Sequence, residues 1–444
     1  METTSNSSKT RIQIGINVLS LVHRARGRFS GAETGSSAWR LLLDHVDLPS
    51  QPFAKFRLQS NAKDAPPADG TAPKYLHGTQ PRSLLWMKTQ EMDKEITLTE
   101  VEEEVHPSLG WRIEARAQVT QTVQGGVLAD HPSFGKTVTI IGLIQSEFDQ
   151  YGPKNIIQRN RSSTAKLPEL LDSAATLIVC PLHIARQWNT KLEKFLGDEE
   201  HELYDVLVIE DCTRLRSRTI EDVLASRVII VSWTLFAEEE YVAGLANFTA
   251  IAEPTLTSRQ AFNAWISRIM QQIPGRLAVH QTHTYEEFQQ STDELFEERL
   301  QHPKFNAILP MKIQHGSAYR SFSAIQSAQA TSKQSTAKAK ASVKRNGSIK
   351  DTSHAMPLLH LFRFNRIVVD EYHYLNDPKK LAGDLIVIAV KHVAAYKRWY
   401  FLERRHWPSS PMLTRSRLSL VSDLVDIASA TVTVTTPTDK VTKN

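Results

Sequence analysis

Residues 125–144 read GGVLADHPSFGKTVTIIGLI: a short apolar strand, a tight loop that closes on Gly-Lys-Thr, and an apolar helix. Those residue types at that spacing bind phosphate. Gly135 lets the backbone approach the anion, Lys136 brings a point charge to it, and the Thr137 hydroxyl is placed to ligate magnesium. Amides at the start of the helix that begins near Lys136 add an anion site favoured by the helix dipole. Two positions depart from the general loop. Asp130 stands where glycine is usual, and Pro132 removes one amide donor.

A second chemical pattern lies far downstream. Residues 364–374, FNRIVVDEYHY, form an apolar strand that ends in Asp370 and Glu371. In a nucleotide hydrolase a carboxylate at such a place holds magnesium, and its neighbour orients and activates the attacking water. Alone, a strand that ends in two acids is an ordinary solvated strand end; paired with the Lys136 loop it gains meaning. His373 has two readings, a link between the nucleotide site and a second ligand, or a cap on the strand.

These groups need a scaffold. Residues 176–180 are a fully apolar strand, and in the next segment Ile184, Trp188, Leu192 and Phe195 recur at helical spacing, which marks them as core. Residues 203–209 and 228–231 are further short apolar strands. Repeated strand-then-helix units predict an α/β fold with a parallel sheet and helices on both faces. Nucleotide is then expected at the carboxyl ends of the strands.

Four strings occur in a fixed order: GGVLADHPSFGKT, TLIVCPLHIARQWNTKLEKF (176–195), RVIIVSWTLF (227–236) and RIVVDEYHY (366–374). They resemble motifs I, Ia, Ib and II of the SWI/SNF-type DNA-dependent ATPases of helicase superfamily two. The likeness is greatest to the postreplication-repair and transcription-termination branch, whose members often carry long insertions in the first lobe. QPRSLLWM (80–87) is similar to the segment in which that family's glutamine contacts adenine. The resemblance covers roughly residues 75–236 and 360–402. It implies a P-loop RecA-like first lobe, ATP and magnesium as cofactors, double-stranded DNA as partner, chromatin or repair complexes as targets, and the nucleus as compartment.

Carried onto this sequence, the resemblance makes Lys136, Asp370 and Glu371 the catalytic set. Gln80, Asp130, Gly135, Lys136 and Thr137 would bind nucleotide, with Thr137 and Asp370 on magnesium. Pro181, Arg186 and Gln187 in motif Ia, and Ser232 and Thr234 in motif Ib, would touch the nucleic-acid backbone, positioning it without reading bases. Taken singly, each of those five is ordinary surface. The sequence also departs from the pattern. His131, Pro132 and Ser133 replace the usual Glu, Met and Gly, and Tyr372 stands where a small residue is usual. After KRWYFL (397–402), only Ser409-Ser410-Pro411 echoes the Thr-Gly-Thr-Pro-like motif III. The sequence reaches Asn444 without the family's second lobe, its arginine finger or motifs IV to VI, so one lobe is expected to bind ATP and turn it over poorly. The rival is a non-catalytic module, derived from such a lobe, that binds nucleotide or DNA. A P-loop kinase would not need the motif Ia and Ib strings, and a transport ATPase would show its own signature loop.

The organisation follows. Residues 1–73 are a leader and Pro-rich linker, 74–236 the first part of the lobe, 237–360 an insertion, 361–402 the second part of the lobe, and 403–444 an atypical tail. Within the insertion we expect a helix around 259–273, an acidic amphipathic helix around 285–300 and a basic, disordered segment at 322–350. That segment carries Lys333, Lys338, Lys340, Lys344, Arg345 and Lys350, and residues 301–350 contain no acid. Two readings of it stand: a contact for DNA phosphates or nuclear address, and an inert solvated linker.

Composition bounds the rest. A net charge of +5, from 53 basic and 48 acidic residues, permits a polyanionic partner without demanding one. No apolar run approaches the roughly 18 residues of a membrane span, and METTSNSSKTR lacks a signal-peptide stretch, so cytosol or nucleus is expected. The two cysteines, Cys180 and Cys212, can build neither a disulfide framework nor a zinc cluster. Oligomeric state is not encoded in any of these features.

Overall fold

The structure, a computed structural model, describes residues 17–27, 35–42, 70, 72–92, 94–106, 110–130, 133–162, 169–252, 259–301, 356–375 and 381–402. They fall into two compact units. The smaller holds helix α1 (Val18–Arg26) and strands β1 (Ser36–Leu42), β2 (Lys94–His106) and β3 (Trp111–Val123). These strands form an antiparallel sheet in the order β1-β3-β2. Alternation along β3 buries Ile113, Ala115 and Ala117, and Leu21 of α1 packs on the first two. Asn17 caps α1 by accepting the Ser20 N–H at 3.0 Å. Glu114 receives Arg40 at 2.6 Å and Arg112 at 2.7 Å, so charges of opposite sign bracket the central strand.

The larger unit carries the motifs. Its elements are α2 (Gln80–Gln90), β4 (Gly125–Leu128), α3 (Lys136–Ser162), β5 (Leu171–Cys180), α4 (Leu182–Leu196), α5 (Asp198–Leu203), β6 (Leu207–Ile209), α6 (Cys212–Arg216), α7 (Ile220–Ala225), β7 (Val228–Ser232), α8 (Glu239–Thr249), α9 (Arg259–Thr282), α10 (Tyr285–Gln301), β8 (Phe362–Val369), α11 (Leu381–His392) and β9 (Ala394–Phe401). The strands make one sheet, β4-β9-β8-β5-β7-β6, in which every pairing is parallel. β7 and β8 are buried along their whole length, which requires cover on both faces. One face presents Ile178, Ile230, Val368 and Trp399 to Leu84 and Met87 of α2, Ile140 and Ile144 of α3, and Trp188 of α4. The expected α/β sheet is therefore the one observed.

Helices follow where the insertion predicts them, with two differences, the first being α8, which was not expected. α9 does not stop at residue 273 but continues through Pro274 to Thr282. Proline costs the helix a hydrogen bond, and tertiary packing beyond it offsets the loss. Arg276 is buried there, donating to the Phe248 carbonyl at 3.2 Å and to the hydroxyls of Ser291 and Thr292, while Leu277 joins the core. α10 spans the predicted acidic helix and buries Phe288 and Phe296. The basic segment 322–350 and the tail 403–444 lie outside the described residues.

A charged layer crosses this core. Thr176, Arg366 and Lys397 are register partners on β5, β8 and β9. Arg366 is fully buried. Its Nε and Nη2 reach the two oxygens of Glu91, just past α2, at 2.5 Å each, and Nη2 also reaches Glu147 of α3 at 2.8 Å. Thr176 accepts from Nη1 at 3.1 Å, Trp399 Nε1 donates to Glu91 at 2.8 Å, and Lys397 and Asn365 donate to Glu147. Burial alone would raise the Glu147 pKa. The charges of Arg366 and Lys397 and the two hydrogen bonds outweigh it, and the carboxyl is pulled down to about 2.

Removing Arg366 would leave carboxylates buried without their main partner. Arg366→Met should cost about 3–5 kcal/mol in urea unfolding, the usual price of breaking a buried pair; a loss near zero would show the layer to be dispensable. The Glu147 carboxyl titrates below its ordinary value of 4.5, so its stabilisation is complete above 4.5 and lost as pH falls towards 2. The stability gap between wild type and Glu147→Gln should therefore shrink across that window. A gap that does not change with pH would contradict the ionised pair.

Candidate nucleotide site

The loop between β4 and α3 is shaped by what presses on it. Gly125 has φ +126°, and a Cβ there would meet the Arg398 carbonyl at 1.9 Å, so the close approach of β4 to β9 admits only glycine. Gly135 has φ +82°, and a Cβ would lie 2.2 Å from Gln80 Nε2. Gln80 opens α2 and clamps the loop. Its Oε1 accepts the His77 N–H at 3.0 Å, and its Nε2 donates to the Phe134 carbonyl at 3.2 Å. Lys136 folds back over the loop, with Nζ donating to the Asp130 carbonyl at 2.9 Å. Thr137 follows in the first turn of α3. His131 and Pro132 lie outside the described residues.

Asp370 and Glu371 follow β8 at the same edge of the sheet, and β9 alone separates β8 from β4. Asp370 is 6% exposed. Its Oδ2 accepts Trp188 Nε1 at 2.9 Å and its Oδ1 accepts the Glu371 N–H at 2.9 Å. Burial raises its pKa, and the opposing pull of those two donors and of the Lys136 and Lys191 charges leaves it still above the ordinary value. Glu371 has φ +54°, in the left-handed region, which for a residue with a Cβ costs about 1–2 kcal/mol. Strain of this kind clusters at functional sites. Its Oε2 stands 3.4 Å from His373 Nε2, which places the histidine beside the acid.

Two residues here escaped sequence reasoning. Trp188 was expected only as core; it is buried, but its indole N–H is spent on Asp370. A buried indole needs a partner for that N–H, and this was the one signal that could have found it. Lys191, three residues on along α4, shares its face and extends Nζ to within 3.5 Å of Thr137 Oγ1.

The positions read as nucleic-acid contacts follow β5 and β7 at this same edge. Pro181 is buried and begins α4, and Ser232 is buried with its hydroxyl 2.8 Å from Thr234 Oγ1. Arg186, Gln187 and Thr234 are exposed, and Arg186 pairs with Glu210 at 2.9 Å. For a metal, the Thr137 hydroxyl and Asp370 carboxylate are the hard oxygen donors that magnesium takes alongside waters and substrate phosphates. Among the described residues no group of three or more His, Cys, Asp or Glu could hold a metal by itself. Both cysteines are buried and free; burial raises both thiols, Cys212 to about 12, so neither is a ready ligand. No described helix is long and apolar enough to cross a membrane.

Comparison with known proteins gives a consistent assignment. The family described as SNF2-related domain matches residues 79–400. Over 265 residues the chain is 32% identical to DNA (cytosine-5-)-methyltransferase DMT5 of Cryptococcus neoformans, a match that takes 58% of this chain and 11% of that protein. It is 32% identical over 194 residues to the DMT5 of Verticillium dahliae, covering 43% of this chain and 8% of that one. DNA repair protein RAD5B of Arabidopsis thaliana is 31% identical over 143 residues, with 26% and 11% covered. The chain thus matches about a tenth of the length of these relatives. Among solved structures, the SWI2/SNF2 ATPase core of Sulfolobus solfataricus in complex with dsDNA aligns over 81% of this chain and 36% of that one, at 12% identity and a TM-score of 0.30.

The contact of Gln80 with the loop is testable by a double-mutant cycle. Gly135→Ala should destabilise the protein, and by about 1 kcal/mol less in a Gln80→Ala background, because only the clash is relieved and the strained φ remains. Calorimetry reads both. Equal costs in the two backgrounds would show that Gln80 does not press on the loop.

Proposed function

The chain belongs to the SNF2-related domain family, and on that premise we propose that it is the ATP-binding lobe of a DNA-dependent, helicase-like ATPase that works on DNA or chromatin in the nucleus. One observation carries the reading: the Gln80-clamped loop and the buried Asp370 share the carboxyl edge of one parallel sheet, with Lys136 acting electrostatically on that acid. In this reading Gln80 recognises adenine. The loop backbone at Asp130 and Gly135, with Lys136, cradles the phosphates. Thr137 and Asp370 hold magnesium, which when bound neutralises phosphate charge. Glu371 orients the attacking water, and His373 beside it fixes the carboxylate. The exposed Arg186, Gln187 and Thr234 take backbone phosphates of double-stranded DNA, while Pro181 and Ser232 shape the turns that carry them. DNA as the partner is supported by relatives whose names place them in DNA methylation and repair.

A second reading, nucleotide binding without turnover, is favoured by Asp370, whose two oxygens are both engaged by protein donors.

Titration of a fluorescent ATP analogue should show affinity at least about ten-fold weaker for Lys136→Ala than for wild type, the scale of a lost charged hydrogen bond. Equal affinities would remove the assignment. Steady-state hydrolysis by the 444-residue chain should stay near background even with DNA, since an arginine finger is worth about 10³–10⁵ in rate. Robust DNA-stimulated turnover, abolished in Glu371→Gln, would show that this lobe suffices alone.

DNA binding should be independent of sequence and fall steeply with salt. Arg186→Ala should lower the slope of log affinity against log salt by about one, and deletion of residues 322–350 by several more. If neither change alters the slope, these positions do not touch phosphate.

A further inference from the structure

Lys191 is a second lysine in a site where the Gly-Lys-Thr motif supplies one. It sits on the face of α4 that also holds the buried Ala185, Trp188 and Leu192, and is itself only partly exposed. Its Nζ lies 3.5 Å from the hydroxyl of Thr137, the residue directly after the loop lysine. Its positive charge is felt by Asp370, as is that of Lys136. Among the described residues neither lysine has a carboxylate within ion-pairing distance; their neighbours are a backbone carbonyl and a hydroxyl. A partly desolvated ammonium with only neutral partners is a binding site for an anion that comes from outside.

Two ammonium groups bring the same charge as one divalent ion. One of them reaches the very hydroxyl that would otherwise be given to magnesium. We infer that Lys191 is a phosphate-binding residue that substitutes in part for the metal, so that this chain holds nucleoside triphosphate in the absence of a divalent cation. The inference rests on the nucleotide reading proposed above. It separates this lobe from one that recognises only the metal complex, because an ammonium already stands at Thr137 Oγ1 to meet the phosphates when no dication takes that oxygen.

The test is anisotropy titration with N-methylanthraniloyl-ATP in magnesium and again in excess chelator. The quantity read is the ratio of the two dissociation constants. Wild type should show a ratio within about three-fold, and Lys191→Met and Lys191→Gln should raise it to about ten-fold or more, the scale of one charge-assisted hydrogen bond. Lys191→Arg, which keeps the charge, should stay near wild type. Circular dichroism melts establish that each variant is folded. A large ratio in wild type, or the same ratio in wild type and both neutral variants, overturns the role of Lys191 and leaves the nucleotide site standing. Absence of binding by wild type under either condition overturns both.

Discussion

One buried guanidinium holds the candidate site together from behind. Arg366 cannot stay in the core without anionic partners, and it takes one from each of the two helices that build the nucleotide loop. Glu91 ends the turn after α2, the helix that begins with Gln80. Glu147 lies three turns into α3, the helix that begins with Lys136. Arg366 itself is four residues before Asp370 along β8. Gln80, Lys136 and Asp370 thus each stand at the end of an element that this one side chain grips or belongs to. A buried ion pair gains little over well-packed apolar residues. What it adds here is orientation, because a bidentate fork fixes the angle as well as the distance of the helix it grips.

The front of the site is governed by charge in the same way, with the signs reversed. There the acid is fixed by neutral donors and the lysines stand on neutral acceptors. Asp370 is held by an indole N–H and a backbone N–H, while Lys136 donates to a backbone carbonyl and Lys191 to a hydroxyl. Glu371 extends the asymmetry. Its left-handed backbone turns the chain out of the strand direction directly after β8, and its side chain is still 24% exposed, in contrast to Asp370 beside it. One acid is thereby buried and its neighbour left within reach of solvent.

What the sequence revealed follows the range of the physics. A phosphate-loop pattern is local, written within a dozen residues, and so Gly135, Lys136 and Thr137 stand out without a structure. The parallel sheet is readable because strands covered on both faces carry apolar runs, as 228–231 and 367–369 do. The charged layer was hidden: Glu147 and Arg366 are 219 residues apart, and each resembles a surface charge on its own element. The hairpin of β2 and β3 was hidden for another reason. Glu occupies both faces of β2, at 102 and 103 for example, which blurs the period of two that marks a strand. The continuation of α9 past residue 273 was hidden too, since local reading cannot register Arg276 buried two residues beyond Pro274.

The helices that follow residue 237 carry no motif, yet packing gives them a part in the site. Tyr241 of α8 bonds His360 Nδ1 at 2.8 Å, two residues before β8, and His360 Nε2 donates to the Ala389 carbonyl of α11 at 3.0 Å. Burial favours the neutral ring, lowering its pKa to about 3, and that form can make both contacts. Ser267 of α9 meets His392 at the end of α11 at 3.2 Å, just ahead of β9. The strand that ends in Asp370 and the strand that separates it from the nucleotide loop are therefore both anchored at their amino ends by this segment. Motifs mark where chemistry is done, but the rigidity that lets Asp370 stay buried near two lysines comes from residues whose types show only a need to be packed.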